Sequence, residues 1–169
     1  RYGNVMGSTG SVIPYFSRLI KNKQHLTLTH KDMTRFILTL EHAVELVFIS
    51  LLHAKGGEIF IPDIPTHTVK DLAEVMLDIH NEKDLKILET GIRVGEKLHE
   101  TLITPSESMR TVKKKGFYII FPEIELQERG KKQKPQSLMY RYASDNAKLI
   151  TKKELKKVIL ESGILNKTT

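Results

Sequence analysis

The chain has 169 residues, 40% of them hydrophobic and 28% charged, which fits one folded domain, or one domain with an appendage, and not a disordered polymer. It contains no cysteine, so disulfides, thiolate catalysis, cysteine zinc sites and iron–sulfur clusters are excluded. Lys and Arg number 27 against 20 Asp and Glu, and the resulting +7 favours anionic partners.

Taken in chain order, Tyr2–Met6 reads as the end of a short strand and Gly7-Ser-Thr-Gly10-Ser11 as a tight polar turn. Ile13, Phe16, Leu19 and Ile20 share one face of a helix predicted over Ile13–Lys23, with Pro14 in its first turn. Leu26–Thr29 alternates and reads as a strand. Thr39 is placed to cap a helix from Leu40 to His53 whose apolar stripe is Leu40, Val44, Val47, Phe48 and Leu51, stopped by Gly56-Gly57. Glu58–Ile61 is a brief strand closed by Pro62 and Pro65. Thr68 caps a helix over Val69–His80, with Asp71 in its first turn. Lys86–Glu89, Leu98–Ile103, Phe117–Phe121 and Leu138–Ala143 are strand candidates. Thr151 with Glu154 forms a capping box that opens a last helix, stopped by Gly163. The lysine-rich stretch around Gly130 and Pro135 divides the chain into residues 1–127, a basic loop at 128–137, and a strand–helix extension at 138–169. The class is mixed α/β with short strands. The opening strand follows no other strand, and the chain begins with Arg1, which reads as a processed product or the C-terminal half of a larger α/β protein. No apolar run approaches the roughly 20 residues of a membrane span, and no signal peptide is visible, so a cytoplasmic, non-membrane protein is expected.

Few segments carry chemistry. Gly7 to Gly10, between a strand and a helix, is either a plain turn or a cradle whose N–H groups meet a phosphate. A third glycine of a dinucleotide fingerprint would fall at Ile13, and no Gly-Lys-Ser/Thr follows. None of the seven histidines forms a His-x-x-x-His pair, so no metal site is expected, and there is no Gly-x-Ser-x-Gly elbow. Arg35 precedes the apolar Phe36-Ile-Leu38, and a partly buried arginine needs an acceptor: Asp32 on one reading, a ligand phosphate on the other. Arg93, between Gly91 and Gly95, poses the same choice. With Asn4 the two arginines would make a diphosphate clamp.

Several segments together resemble a known family. Arg1-Tyr-Gly-Asn-Val-Met-Gly-Ser8, Gly10-Ser-Val-Ile-Pro14 and Met33-Thr-Arg-Phe36 resemble extended short-chain dehydrogenases acting on nucleotide sugars. Gly57-Glu-Ile-Phe-Ile-Pro62, Gly91-Ile-Arg-Val-Gly-Glu-Lys-Leu-His-Glu100 and Tyr142-Ala-Ser-Asp-Asn146 narrow the likeness to the C-terminal half of inverting UDP-N-acetylglucosamine 4,6-dehydratases of the polysaccharide-biosynthesis group. The resemblance implies the end of a Rossmann-type sheet, a small substrate-binding α/β subdomain and a C-terminal helix. It implies a lyase that uses NADP, acts on a UDP-sugar in surface glycan biosynthesis and assembles as a homo-oligomer. By resemblance, Asn4 contacts the substrate near its diphosphate, and Val5 touches the cofactor. Ser11 and Val12 begin the helix that approaches UDP, Leu26 to Thr29 pass beside the uracil, Arg35 and Arg93 bind the diphosphate, and Glu96 holds the ribose or supports Arg93. Tyr142–Asn146 resembles a segment closing near the substrate or a neighbouring subunit. The family's glycine fingerprint and Tyr-x-x-x-Lys pair are absent, since none of Tyr2, Tyr15, Tyr118, Tyr140 or Tyr142 has a lysine four residues on. The chain is therefore expected to be inactive without the missing N-terminal Rossmann half and to contribute no catalytic residue. A nucleotide-sugar 4-epimerase is the alternative. A basic nucleic-acid-binding module is a further one, but no Trp and 7% aromatics supply a poor stacking platform.

Overall fold

The computed structural model describes residues 1–8, 10–123 and 141–167. Thr9, the whole basic loop at 128–137 and the first three residues of the expected strand at Leu138–Ala143 lie outside them. Helix α1 (Val12–Lys21) buries Ile13, Phe16, Ser17 and Ile20, three to four residues apart. It ends two residues short of the expected Lys23, whose backbone turns left-handed at φ 54°. Strand β1 (Leu26–Leu28) follows, then β2 (Thr34–Phe36), which the sequence did not reveal. Helix α2 (Leu40–His53) has the predicted bounds, with the Thr39 hydroxyl accepting from the His42 N–H. Strands β3 (Ile59–Pro62) and β4 (Thr66–Thr68) lead into α3 (Val69–Ile79), capped by Thr68 as expected. Then come β5 (Ile87–Glu89), β6 (Thr101–Ile103), a single helical turn α4 (Pro105–Ser108), β7 (Thr111–Lys114) and β8 (Phe117–Ile120). Strand β9 (Tyr142–Ala143) precedes α5 (Lys152–Glu161), whose capping box at Thr151 and Glu154 is formed as read, and a 3-10 turn at Ile164–Lys167.

Among the described residues the strands make four small sheets: β1 with β5, β2 with β4, β3–β8–β7 and β6 with β9. Parallel pairing among the described residues is confined to β1–β5 and the bridges Val5–Leu38 and Thr66–Leu149. The strand expected at Tyr2–Met6 is thus reduced to one bridge. Met6 N–H donates to Leu38 O at 2.7 Å, and by Ser8 the chain has turned back on Val5 O. One apolar core gathers α1, α3, α5 and β1 around Phe16, Leu26, Leu72, Met76, Leu155 and Ile159. A second lies between β2, β3, β6, β8 and β9 around Leu38, Ile61, Leu102 and Ile120.

The expected apolar stripe of α2 is not the buried one. Ala43 and Leu46 face inward, Leu46 against Phe60 and Ile119, while Leu40, Val44, Val47, Phe48 and Leu51 are exposed. The helix is apolar on nearly every side, so periodicity alone does not select its inner face.

Candidate functional site

The glycine turn sets the geometry of a large cleft. Gly7 and Gly10 have φ of 74° and 76°, values that only glycine adopts without strain. A Cβ at Gly7 would also lie 2.8 Å from Ile164 Cγ1, so the turn rests directly on the 3-10 turn. The chain then enters α1 at Ser11, which occupies the N-cap but makes no capping hydrogen bond through its side chain. Its hydroxyl is buried and has no hydrogen-bond partner among the described residues. The N-terminus of α1 opens on a cleft of about 800 Å³ between α1, β1, β2, β4 and the loop at Arg93–Glu96.

Of the residues expected at the site, Asn4, Val5, Ser11, Val12, Thr29, Arg35, Arg93 and Glu96 all line this cleft. Leu26 does not. Its side chain is wholly buried and its N–H donates to Lys86 O in the β1–β5 region, whereas its neighbours Thr27 and Leu28 reach the lining. Tyr142–Asn146 is not among the lining residues either. Tyr142 and Ala143 pair with β6, and Ser144 hydrogen-bonds Thr34 from behind β2.

Arg35 is not paired with Asp32, the protein partner weighed from sequence. Its guanidinium donates to the carbonyls of Thr34 (2.7 Å), Leu98 (3.1 Å) and Lys97 (2.8 Å), and its Nε stands 3.7 Å from a Glu100 oxygen. Asp32 lies instead 3.9 Å from His30. The Arg35 side chain is 15% exposed, so it is held and yet reaches the cleft. Arg93 is exposed, and its backbone N–H donates to Glu96 Oε2 at 3.2 Å. Glu96 therefore steadies the turn that carries Arg93.

Tyr15, Arg18, Thr27, His67 and Glu100 also line the cleft. Tyr15 and Thr27 join α1 to β1 through their hydroxyls at 2.8 Å, and the Arg18 guanidinium sits 5.6 Å from the Tyr15 ring centre. Ser11, Tyr15 and Arg18 are spaced four and three apart, a sequence signal for a second, polar face of α1. His67 is opposite Arg35 in the β2–β4 register, a placement no local pattern announces. Its Nδ1 lies 2.9 Å from Thr68 O and must donate, since a carbonyl only accepts. Burial pushes the His67 pKa down, and Arg35 nearby adds to that, so the imidazole is held neutral. Among the described residues no three His, Asp or Glu side chains gather as a metal site.

Residues 1–122 match the model of the polysaccharide biosynthesis protein family. The chain belongs to that family. It is 39% identical, over 94% of its length, to a UDP-N-acetylglucosamine 4,6-dehydratase (inverting) of Campylobacter jejuni, and covers 49% of that protein. It is 36% identical to a UDP-glucose 4-epimerase of Rickettsia akari, over 95% of this chain and 48% of that one. The X-ray structure of Pen from Bacillus thuringiensis superposes with a TM-score of 0.84 at 38% identity, over 97% of this chain and 48% of Pen. The chain thus spans about half the length of the relatives it matches. Among the described residues no helix is long and apolar enough to cross a membrane.

Proposed function

We propose that this member of the family is the UDP-sugar-gripping portion of a C5-inverting UDP-N-acetylglucosamine 4,6-dehydratase of surface glycan biosynthesis. The observation that carries the reading is the convergence of Arg35, Arg93 and the N-terminus of α1 on one cleft. A helix N-terminus presents unpaired N–H groups and the positive end of the dipole, and arginine's planar fork matches phosphate oxygens. In this reading Ser11, Val12 and Arg93 hold the diphosphate, Arg35 holds it from the strand side, and Asn4 orients the neighbouring sugar. Thr27 to Thr29 offer backbone groups to the uracil edge. Glu96 acts by holding the Arg93 turn.

NADP, when bound in the complete enzyme, would supply the hydride acceptor and donor for this chemistry. The residues present do not fit that cofactor by themselves. The glycine turn at residues 7–10 runs on to Ile13 where a fingerprint would need glycine, and Val5 alone is expected to touch it. No tyrosine has the lysine needed to take the C4 hydroxyl proton. The chain's own contribution is therefore binding and orientation, in a cytoplasmic, homo-oligomeric enzyme whose other half does the chemistry.

The epimerase reading has the Rickettsia relative in its favour, and it uses the same diphosphate grip. The nucleic-acid reading has less support. Lys113 is paired with Asp63, Lys152 with Asp71 and Glu74, Lys156 with Asp78 and Lys157 with Glu161, which breaks up a continuous basic face. Calorimetric titration of the chain with UDP and with uridine tests the grip. UDP should bind more tightly, and Arg93→Ala should remove most of the difference. An Arg93→Ala chain that still prefers UDP as strongly as the wild type overturns the assignment.

A further inference from the structure

His67 keeps one ring nitrogen unbonded among the described residues. It stands in the middle of β4, directly opposite Arg35 of β2, so the two side chains leave the strand pair on the same face. His67 is 6% exposed, and both residues line the cleft at the N-terminus of α1. The bond from Nδ1 to Thr68 O fixes the tautomer: the proton is on Nδ1, and Nε2 carries a bare lone pair. His80 Nε2 is sealed from solvent without a partner, whereas His67 Nε2 is not among such sealed atoms, and the cleft is the cavity that His67 lines.

A lone pair at this place narrows what can lie against it. Arg35, Arg93 and the N–H groups at the start of α1 all donate, and they suit phosphate oxygens. A neutral imidazole nitrogen does not, because a phosphate oxygen brought to it would set two acceptors against each other. Protonation would remove that conflict. Burial first, and then the Arg35 charge, push the His67 pKa below 6.5, against the opposing pull of the Thr68 carbonyl and of Asp71 on α3. The group seated at Nε2 must therefore bring its own hydrogen. On a nucleotide sugar whose uracil edge lies along β1, the remaining donors of this kind are carbohydrate hydroxyls.

We propose that His67 Nε2 accepts a hydrogen bond from a sugar hydroxyl of the bound nucleotide sugar, and so selects for ligands that carry a hydroxyl at that place. A buried acceptor left unpaired penalises a ligand that lacks the donor, which makes His67 a specificity-determining residue. The assignment rests on the reading of the cleft as a nucleotide-sugar grip.

Two variants separate the two ring nitrogens. His67→Asn keeps an amide N–H where Nδ1 meets Thr68 O and puts no atom at the place of Nε2. His67→Gln carries an acceptor oxygen out to that place and gives up the Thr68 bond. In calorimetric titrations His67→Asn should bind about fivefold more weakly or worse, the scale of one hydrogen bond, while His67→Gln recovers most of the loss although it melts earlier. An equal loss for UDP and UDP-N-acetylglucosamine places the hydroxyl on the ribose, and a loss for the sugar nucleotide alone places it on the hexose. In the wild-type chain, 15N spectra of the imidazole should show Nε2 unprotonated throughout and shifted upfield at saturation, a readout that needs no variant to fold. The assignment is overturned if Nε2 does not move. It is also overturned if His67→Asn binds both ligands like the wild type, or if affinity follows melting temperature so that His67→Gln is the weaker binder. Proton uptake at Nε2 on binding would overturn it in favour of a phosphate contact. A wild-type chain that binds neither ligand overturns the grip itself, and this assignment with it.

Discussion

Arg35 and Arg93 look equivalent in sequence and are different in the structure. Both were legible as arginines needing acceptors, one beside Phe36 and one between glycines. The acceptors of Arg35 were not legible, because Lys97 and Leu98 are 62 and 63 residues away along the chain. The consequence is a split in what their removal does. Arg93→Ala should cost about 1–2 kcal/mol of UDP affinity, the scale of a charge-assisted bond at an open site, with the melting temperature nearly unchanged. Arg35→Ala should lower both, since it also removes three hydrogen bonds to carbonyls and the positive charge beside Glu100. Calorimetry and melting of the two variants check this; equal melting temperatures would contradict it. His67 gives a pH dependence. Its folded pKa lies below its ordinary value of 6.5, so the unfolded chain binds more protons as pH falls through that value. Its contribution to stability is complete above about pH 6.5 and is lost as pH falls toward the folded pKa. The wild-type melting temperature should therefore drop between pH 7.5 and 5.5, and the drop should be smaller in His67→Gln. An identical drop in both would show that another group is responsible.

At the scale of elements, caps and stops were the most readable features. Thr39, Thr68 and Thr151 each cap the helix they were expected to cap, and Gly163 stops the last one at φ 63°. The elements missed had signals that pointed elsewhere. Lys113–Lys115 reads as a charge cluster, yet Lys113 and Lys114 belong to β7, the edge of the β3–β8–β7 sheet, where lysine discourages further pairing. The α4 turn has a full capping box at Thr104 and Glu107 with Pro105 behind it, which the sequence did contain. Strands β2 and β4 are three residues each, too short for a period to show. Glu107 also pairs with Arg1 through two hydrogen bonds, which hold its carboxyl down at about 2. Behind β2, Ser144 ties the C-terminal segment to the strand that carries Arg35. Its hydroxyl meets Thr34 Oγ1 at 2.7 Å, Thr34 O at 3.1 Å and the Glu100 N–H at 2.9 Å, and it is almost wholly buried. Ser144→Ala strips the Glu100 N–H of this bond and takes one of two partners from Thr34 Oγ1 and Thr34 O, and should cost about 1–3 kcal/mol of stability, read by denaturant unfolding. A loss within a few tenths of a kcal/mol would show that the segment only leans on β2.

For the molecule as a whole, the resemblance pointed to half of an enzyme, and the chain spans about half the length of the relatives it matches. The cleft collects eight of the nine residues expected at it, from five separate stretches of chain, a convergence that no single motif contained. The purified chain with UDP-N-acetylglucosamine and NADP should form no 4-keto sugar; detectable product would mean that it reacts without the Tyr and Lys pair. The central claim, that the cleft between α1, β1, β2 and the Arg93 loop is where a UDP-sugar is gripped, is tested most directly by titrating UDP into the 15N-labelled chain and following its amide resonances. The account predicts shifts that saturate together at residues 4–5, 10–12, 27–29 and 93–96, with α2 and the β7–β8 hairpin unmoved. Shifts centred on α2 or on the β7–β8 hairpin, or no saturable shift at all, would contradict it.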